Sequence, residues 1–412
     1  MVETATPKVP ARAYYPVLGT GLAANVNSDF MTVIVPLWAV TLGATPGEIG
    51  IMIGARSLLP FLLAIHGGVM MDRLGTRRMM LVFTLISTAL VPLYPLSPWF
   101  PALVALQMMT GLLGNLSWIG AQTLIARIGR GDPHYLGMFS FASRVGSIGA
   151  PALIGLIWDL TGHWGAFAAC TLSSLALFGS TALVPRWAET HGLPKAGDAA
   201  PAAPIRWGDL LPRWRDYADC LALLAVPAVA LGIAIALLRH TPTTIQASFY
   251  ITYLKEIGLQ ATVIGALISC AEVTGAFGSL LAAPLMRRFP AHWILIAFTV
   301  LTIGMMTLTP VLGGIIALLG AAQILRGAAH GLLHPATFSV ISRALDPETQ
   351  ARGIALRTTG NRLGAVLLPV IMGFVAEAAG VEASFLIIGG GLLAIVAVIA
   401  VLVARSDAFS ER

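Results

Sequence analysis

The sequence predicts an all-α membrane protein, with twelve transmembrane helices arranged as two pseudo-symmetric six-helix bundles. Three features support this. Of the 412 residues 57% are apolar and only 11% are charged, with a mean hydropathy of +0.83, whereas soluble domains carry about 25% charged residues. Apolar stretches of the length a bilayer crossing needs, about 20 helical residues, recur along the whole chain. The second half of the chain also repeats the first.

The spans are expected at 15–42, 47–71, 78–97, 100–126, 136–159, 163–184, 221–254, 259–286, 292–311, 314–342, 352–376 and 382–404. The segment up to Tyr14 is polar, and the first apolar stretch is too long for a signal peptide and shows no convincing cleavage site, so it is expected to be retained. Between spans 2 and 3 lies the turn GGVMMDRLGTRR, which sets an acid and three arginines into twelve residues. After span 6, the segment Pro185–Asp219 contains HGLPKAGDAAPAAP, whose Pro, Ala and Gly content marks a cytoplasmic linker. The domains expected are therefore 1–184, a linker at 185–219, and 220–412. Span 7 is longer than one crossing needs, and Pro227 and Pro242 are placed to break or tilt it. Lysine and arginine in short loops stay in the cytoplasm. With both termini inside, 18 of the 25 lie on the cytoplasmic side, counting Arg352 at the first position of span 11 among them, six arginines lie within spans and only Lys255 falls in an outer loop. The net charge of +6 is then mostly topology, with anionic lipid as its partner rather than nucleic acid.

The repeat is read from three aligned segments. SRVGSIGAPALIGLIWDLTG from Ser143 matches NRLGAVLLPVIMGFVAEAAG from Asn361 at an offset of 218, pairing Arg144 with Arg362, Pro151 with Pro369, Gly155 with Gly373 and Asp159 with Glu377. GATPGEIG from Gly43 pairs with GLQATVIG from Gly258 at 215, and Gln107 and Gly111 pair with Gln323 and Gly327 at 216. Parallel six-span repeats around a midplane site are transporter architecture.

The loop between spans 2 and 3 resembles the cytoplasmic signature of the major facilitator superfamily, G-x-x-x-D-R-x-G-x-R-R, complete here as Gly68, Asp72, Arg73, Gly75, Arg77 and Arg78. The resemblance covers the whole chain and implies the major facilitator fold and a secondary active transporter rather than an enzyme. It also implies a gate in which Asp72 contacts the start of helix 11, near Gly353. An orientation signal is the plainer reading of the same charges. The equivalent turn of the second half, AAPLMRRFPAH, keeps Arg287 and Arg288 but lacks the acid and the glycine, so the latch is one-sided. Antiporters of the superfamily carry G-x8-G-x3-G-P-x2-G-G on helix 5. This chain matches at Gly137, Gly146, Pro151 and Gly155 but has Ala150 and Ile154 at other glycine positions. The match favours efflux; close helix packing accounts for the same small residues. Where the helix 4 pattern has an arginine, this chain has Gln107.

Polar groups inside spans are costly and mark pathways. Span 1 carries Asn25, Asp29 and Thr32, span 7 carries Arg239, Thr243, Gln246, Tyr250 and Tyr253, and span 10 carries Arg326, His330 and His334, each set at helical spacing on one face. The family likeness implies that helices 1, 4, 7 and 10 line the cavity, which brings in Trp118 and Gln122 on helix 4. Asp29 and Glu272 are the expected proton-coupling acids; Asp29 as the ion-pair partner of Arg56 is the alternative for the first. Arg144 and Arg362 occupy equivalent positions and suit an interdomain structural role.

Deep in the spans six arginines (Arg56, Arg144, Arg239, Arg326, Arg357, Arg362) face two acids, and an unpaired buried guanidinium invites a carboxylate, sulfonate or phosphate. The expected substrate is a small amphipathic organic anion or drug-like compound held by Arg56, Arg239, Gln246, Arg326, His330 and His334, with Trp118, Tyr250 and Tyr253 covering its apolar part. Proton-coupled efflux is expected, with proton-coupled uptake (symport) as the alternative. The HGLLH of span 10 has metal-ligand spacing but no third ligand nearby, and Cys170, Cys220 and Cys270 lack metal-ligand spacing. The partners expected are thus a small-molecule substrate, protons and membrane lipid, without nucleic acid, metal or cofactor. The chain is expected to act as a monomer in a bacterial cytoplasmic (inner) membrane, both termini cytoplasmic.

Overall fold

A computed structural model describes residues 9–129, 133–189, 225, 227–344 and 347–405, without the side chains of 64–65, 68–69, 72–73, 133, 228, 232, 283, 334–335 and 338–359. Helices account for nearly all of it. In chain order they are α1 (Ala11–Thr41), α2 (Pro46–Leu74), α3 (Thr76–Leu90), α4 (Phe100–Ile128), α5 (133–161), α6 (163–183), α7 (Pro227–Ile245), α8 (Ala261–Arg288), α9 (Ala291–Thr307), α10 (Ile316–Ala344), α11 (Pro347–Ala379) and α12 (Val381–Arg405). Each expected span has its helix. Among the described residues eight segments are long and apolar enough to cross a membrane, and one of these, His134–Leu183, runs for 50 residues. At 1.5 Å per residue that is about 75 Å, more than twice the hydrocarbon thickness. It is two crossings, α5 and α6, meeting at Gly162, where φ of 69° and ψ of −167° turn the chain without an intervening loop.

Local sequence explains the starts and stops. Thr45 and Glu48 cap α2 reciprocally, each side chain bonding the other's backbone N–H, and Pro46 opens the helix. Gly75, at φ of 93°, takes a conformation an L side chain resists and so separates α2 from α3 in one residue. Two spans differ in detail from expectation. Span 3 ends at Leu90, and a short helix, Leu93–Leu96, completes the crossing. In span 7, Pro242 lies inside α7 without ending it. The irregularity comes later, as a π turn at Gln246–Tyr250 that leads into a last helical segment, Ile251–Glu256. Of the linker expected at 185–219, all but 185–189 lies outside the described residues; Arg186–Glu189 form a 3-10 turn.

The helices form two six-helix bundles, α1–α6 and α7–α12, which meet mainly through α2 against α11 and α5 against α8. The sequence repeat is mirrored in these seams. A Cβ on Gly50 of α2 would strike the carbonyl of Pro369 in α11, and one on Gly265 of α8 would strike the carbonyl of Pro151 in α5. Likewise Gly373 lies against Pro46, and Gly155 against Ala261. Within the bundles, Gly111 of α4 abuts the carbonyl of Arg56, and its repeat partner Gly327 of α10 abuts that of Ala271. Small residues let helix backbones touch where lipid offers no hydrophobic drive between helices. The two bundles are thereby in backbone contact at the end where α2 and α8 begin, over an apolar cluster that includes Ile34, Trp38, Ile154, Trp158, Ile264 and Met372.

Candidate functional site

Among the described residues, two cavities between and within the bundles hold the polar side chains of interest. The larger, about 430 Å³, is bordered by α1, α2, α3, α4, α6, α7 and α11. Asn25, Asn27 and Ser28 reach it from α1, Arg56 and Ser57 from α2, Asn115 and Trp118 from α4, and His240 from α7, with Asn361 and Arg362 from α11. Arg56 donates from Nη2 to Ser28 Oγ (3.1 Å) and to the Ser28 carbonyl (3.3 Å), and from Nη1 to Thr32 Oγ1 (3.4 Å). Thr32 turns its own hydroxyl to the Ser28 carbonyl at 2.8 Å. Arg362 crosses from the second bundle to the first, donating to the Pro60 carbonyl (2.9 Å) and to Asn115 Oδ1 (3.1 Å). No carboxylate is among the described residues lining this cavity.

The smaller cavity, about 120 Å³, is bordered by Arg144 of α5, Thr243 of α7, Gln246 of the π turn, Glu272 of α8, and Arg326 and His330 of α10. Arg326 is 3% and Gln246 4% exposed. Arg326 Nε donates to Gln323 Oε1 at 2.8 Å and Nη2 donates to Gln246 Oε1. Arg239 Nη1 and His330 Nε2 are 3.1 Å apart. Gln246 Nε2 and Thr243 Oγ1 are buried without a hydrogen-bond partner.

The repeat relates the two cavities. At offsets of 215 or 216, Ser57 corresponds to Glu272, Thr110 to Arg326, Gly114 to His330 and Gly111 to Gly327, and these residues border one cavity or the other. Arg362 and Arg144, also equivalent, each reach into the opposite bundle's cavity. In the first bundle small residues leave the space open; in the second, long charged side chains fill it.

The expected single ring of residues from α1, α4, α7 and α10 is thus divided. Arg56 and Trp118 border the larger cavity, with Trp118 stacked on Phe139 at 5.7 Å. Arg239 pairs with His330 at the smaller one, which also takes Gln246, Glu272 and Arg326. Tyr250 and Tyr253 are packed in the apolar cluster of the closed end, Tyr253 against Phe385 with ring centroids 5.8 Å apart, and border neither cavity. Gln122 is exposed. The side chains of His334 and Arg357 lie outside the described residues. Asp29 stands beside Ser147 of α5, near enough to Arg56 and Glu272 to feel both charges, with its Oδ2 buried and unpartnered. The Asp29–Arg56 ion pair does not form; the guanidinium bonds Ser28 and Thr32, whose oxygens lie nearer along α1. Gln107, at the expected arginine position, is 2% exposed and accepts from Tyr94 Oη at 3.3 Å, bracing the short helix after α3.

His240, Asn115 and Asn361 fall outside the polar stripes read from the sequence. A signal for them exists, since each is a polar residue within an apolar span. His240, about 100° round α7 from Arg239, borders the larger cavity instead.

Of the signature turn, Gly68, Asp72, Arg73 and the start of helix 11 near Gly353 lie outside the described side chains. Gly75 has its positive φ, and Arg77 donates to the carbonyls of Val184 (2.5 Å) and Ala182 (2.8 Å), a cation on the negative end of α6. Arg127 Nη1 donates to Thr76 Oγ1 at 3.0 Å, tying the end of α4 to the same turn. Arg78 is exposed.

The family model of the Major Facilitator Superfamily matches residues 17–254 and again 234–412. The chain belongs to the Major Facilitator Superfamily. Among solved structures, the fold of this superfamily member is similar to that of the nucleoside transporter NupG, with a TM-score of 0.78, 12% identity, and coverage of 96% of this chain and 100% of that one. It is also similar to a bacterial homologue of the human lysosomal transporter Spinster in an inward-facing, unoccupied conformation (TM-score 0.74, 15% identity, 98% and 99% covered). A third is a POT family transporter in complex with a thioalcohol-conjugated peptide (TM-score 0.69, 12% identity, 96% of each chain). No curated protein sequence matches the chain. The superfamily member is therefore a multi-pass membrane transporter of the secondary kind.

Proposed function

We propose that this transporter exports a small organic anion from the cytoplasm in exchange for protons. One observation carries the reading: the larger cavity presents Arg56, Arg362 and His240 to its interior without a carboxylate among its described lining residues. Its volume of about 430 Å³ lies in the range of small-molecule sites, about 300–1,000 Å³; the smaller cavity falls well below it. Arg56 and Arg362 hold the anionic group, Asn25, Asn115 and Asn361 bond its polar edges, and Trp118 covers an apolar part. Protons are taken up at Glu272 and Asp29, which stand outside the lining of the larger cavity, so that substrate and proton occupy separate sites. The partial helix 5 antiporter pattern supports export.

The test uses purified protein in proteoliposomes under an imposed pH gradient, with matched aryl carboxylate and aryl ammonium compounds. The carboxylate is expected to be transported, and Arg56→Gln to weaken its binding about tenfold, the loss of one charge-assisted pair. A preference for the cation, or carboxylate binding indifferent to Arg56→Gln, overturns the reading. Reversing the gradient separates export from uptake.

A further inference from the structure

The acids matched by the repeat, Asp159 and Glu377, take no part in either cavity, yet each stands where one bundle meets the other. Asp159, at the end of α5, accepts hydrogen bonds from three donors at the start of α8: the backbone N–H of Ala261 (3.1 Å) and Thr262 (2.7 Å) and the hydroxyl of Thr262 (2.6 Å). The first N–H groups of a helix have no partner within it, and a carboxylate there also meets the positive end of the helix dipole. Gln260, at the cap position of α8, gives it no side-chain hydrogen bond, and the first turn holds no acid. The cap of α8 is thus supplied from the opposite bundle. Glu377, at the end of α11, sets its carboxyl group against Gly47 in the first turn of α2. That helix already has a cap of its own in Thr45 and Glu48.

We propose that Asp159 and Glu377 are paired gating residues that hold this end of the transporter shut, each reaching from one bundle to the start of a helix in the other, with Asp159 the stronger of the two. The glycine seams beside them, Gly155 against Ala261 and Gly373 against Pro46, bring the backbones close enough for the reach. When the bundles part at this end, the N–H groups of Ala261 and Thr262 lose their acceptor and α8 has no residue of its own to replace it. Opening is therefore resisted more on the α5–α8 side than on the α2–α11 side.

The experiment measures labelling of Ala261→Cys by a bulky maleimide in the purified full-length transporter, with Cys170, Cys220 and Cys270 replaced by alanine. Ala261 is fully buried in the seam. Adding Asp159→Ala is expected to raise the labelling rate about fivefold or more, the population shift that follows loss of one helix cap. Asp159→Asn, which keeps one acceptor oxygen, and Thr262→Ala are expected to give intermediate rates, and Glu377→Ala a smaller rise than Asp159→Ala. A reporter at Leu124→Cys, buried inside the first bundle, is expected to stay protected, which separates gating from general loosening. Labelling at the parent rate in Asp159→Ala, or a larger rise in Glu377→Ala, overturns the proposal. Should Asp159→Ala fail to give monodisperse protein, Asp159→Asn and Thr262→Ala carry the same test, and the parent rate in both overturns it. Labelling needs neither substrate nor gradient, so its outcome is independent of the anion and proton assignments.

Discussion

Asp29 and Glu272 lie in different bundles, each close to an arginine without being neutralised by it through a direct hydrogen bond. A carboxyl group not locked to one arginine by a hydrogen bond can exchange partners when a neighbour moves, which is what a coupling acid requires. Asp29→Asn is expected to abolish gradient-driven transport while leaving substrate exchange across the membrane largely intact, because the carboxamide resembles the protonated acid. Parallel measurement of uphill flux and counterflow checks this. If uphill flux survives in that variant and fails in Glu272→Gln, coupling rests on the second bundle alone. Arg326 is expected to behave differently from Arg56: it borders the smaller cavity together with Glu272 rather than the larger one, so Arg326→Gln alters coupling and pH response before it alters substrate affinity.

Among the helices, α2, α5, α8 and α11 carry the contacts between bundles, and their glycines are what permit the approach. Gly265→Val places a side chain against the backbone carbonyl of Pro151, which cannot move aside as a flexible side chain would. The expected result is a lower melting temperature, and Gly50→Val, its counterpart against Pro369, is expected to match it in direction. Gly304→Ala, in α9 with open space around it, is the control. It is expected to leave the melting temperature unchanged or raise it, since alanine favours a helix over glycine by about 0.5–1 kcal/mol. Thermal unfolding in detergent, followed by tryptophan fluorescence, distinguishes the two kinds of site.

For the whole molecule, alternating access requires the seam at the start of α2 and α8 to open in each cycle. Asp159→Cys combined with Thr262→Cys is expected to join the two bundles when oxidised, since these two side chains meet across the seam, Thr262 Oγ1 lying 2.6 Å from Asp159 Oδ2. Transport is expected to stop on oxidation and return on reduction. Flux that persists through the closed disulfide would show that this end need not open. At the other end, Asp72→Ala is expected to weaken the state closed there, read as increased cysteine accessibility near the start of α11; no change would reduce the signature turn to an orientation signal.

Membrane class, the number and approximate limits of the spans, the duplication and the family are all legible in the chain, because each is written in quantities a linear polymer displays: apolar length, charge asymmetry, periodic matches and a contiguous motif. Gly162 shows the limit of that reading, since the loop expected between spans 5 and 6 is a single positive-φ residue. Helical spacing marks Arg239, Gln246 and Arg326 as candidate site residues, the family likeness adds Trp118 and the count of buried charges adds Arg56, but spacing fixes only a face of one helix. Which faces meet depends on how the helices pack. Packing therefore separates the larger cavity from the smaller, moves Tyr250 and Tyr253 into the apolar cluster, brings His240, Asn115 and Asn361 to the cavity wall, and gives Arg56 to Ser28 and Thr32 rather than to Asp29. The repeat names Asp159 and Glu377 as equivalents. Only the contact between bundles, set by close packing of glycines on four helices far apart in the chain, puts each of them at the start of a helix it does not belong to.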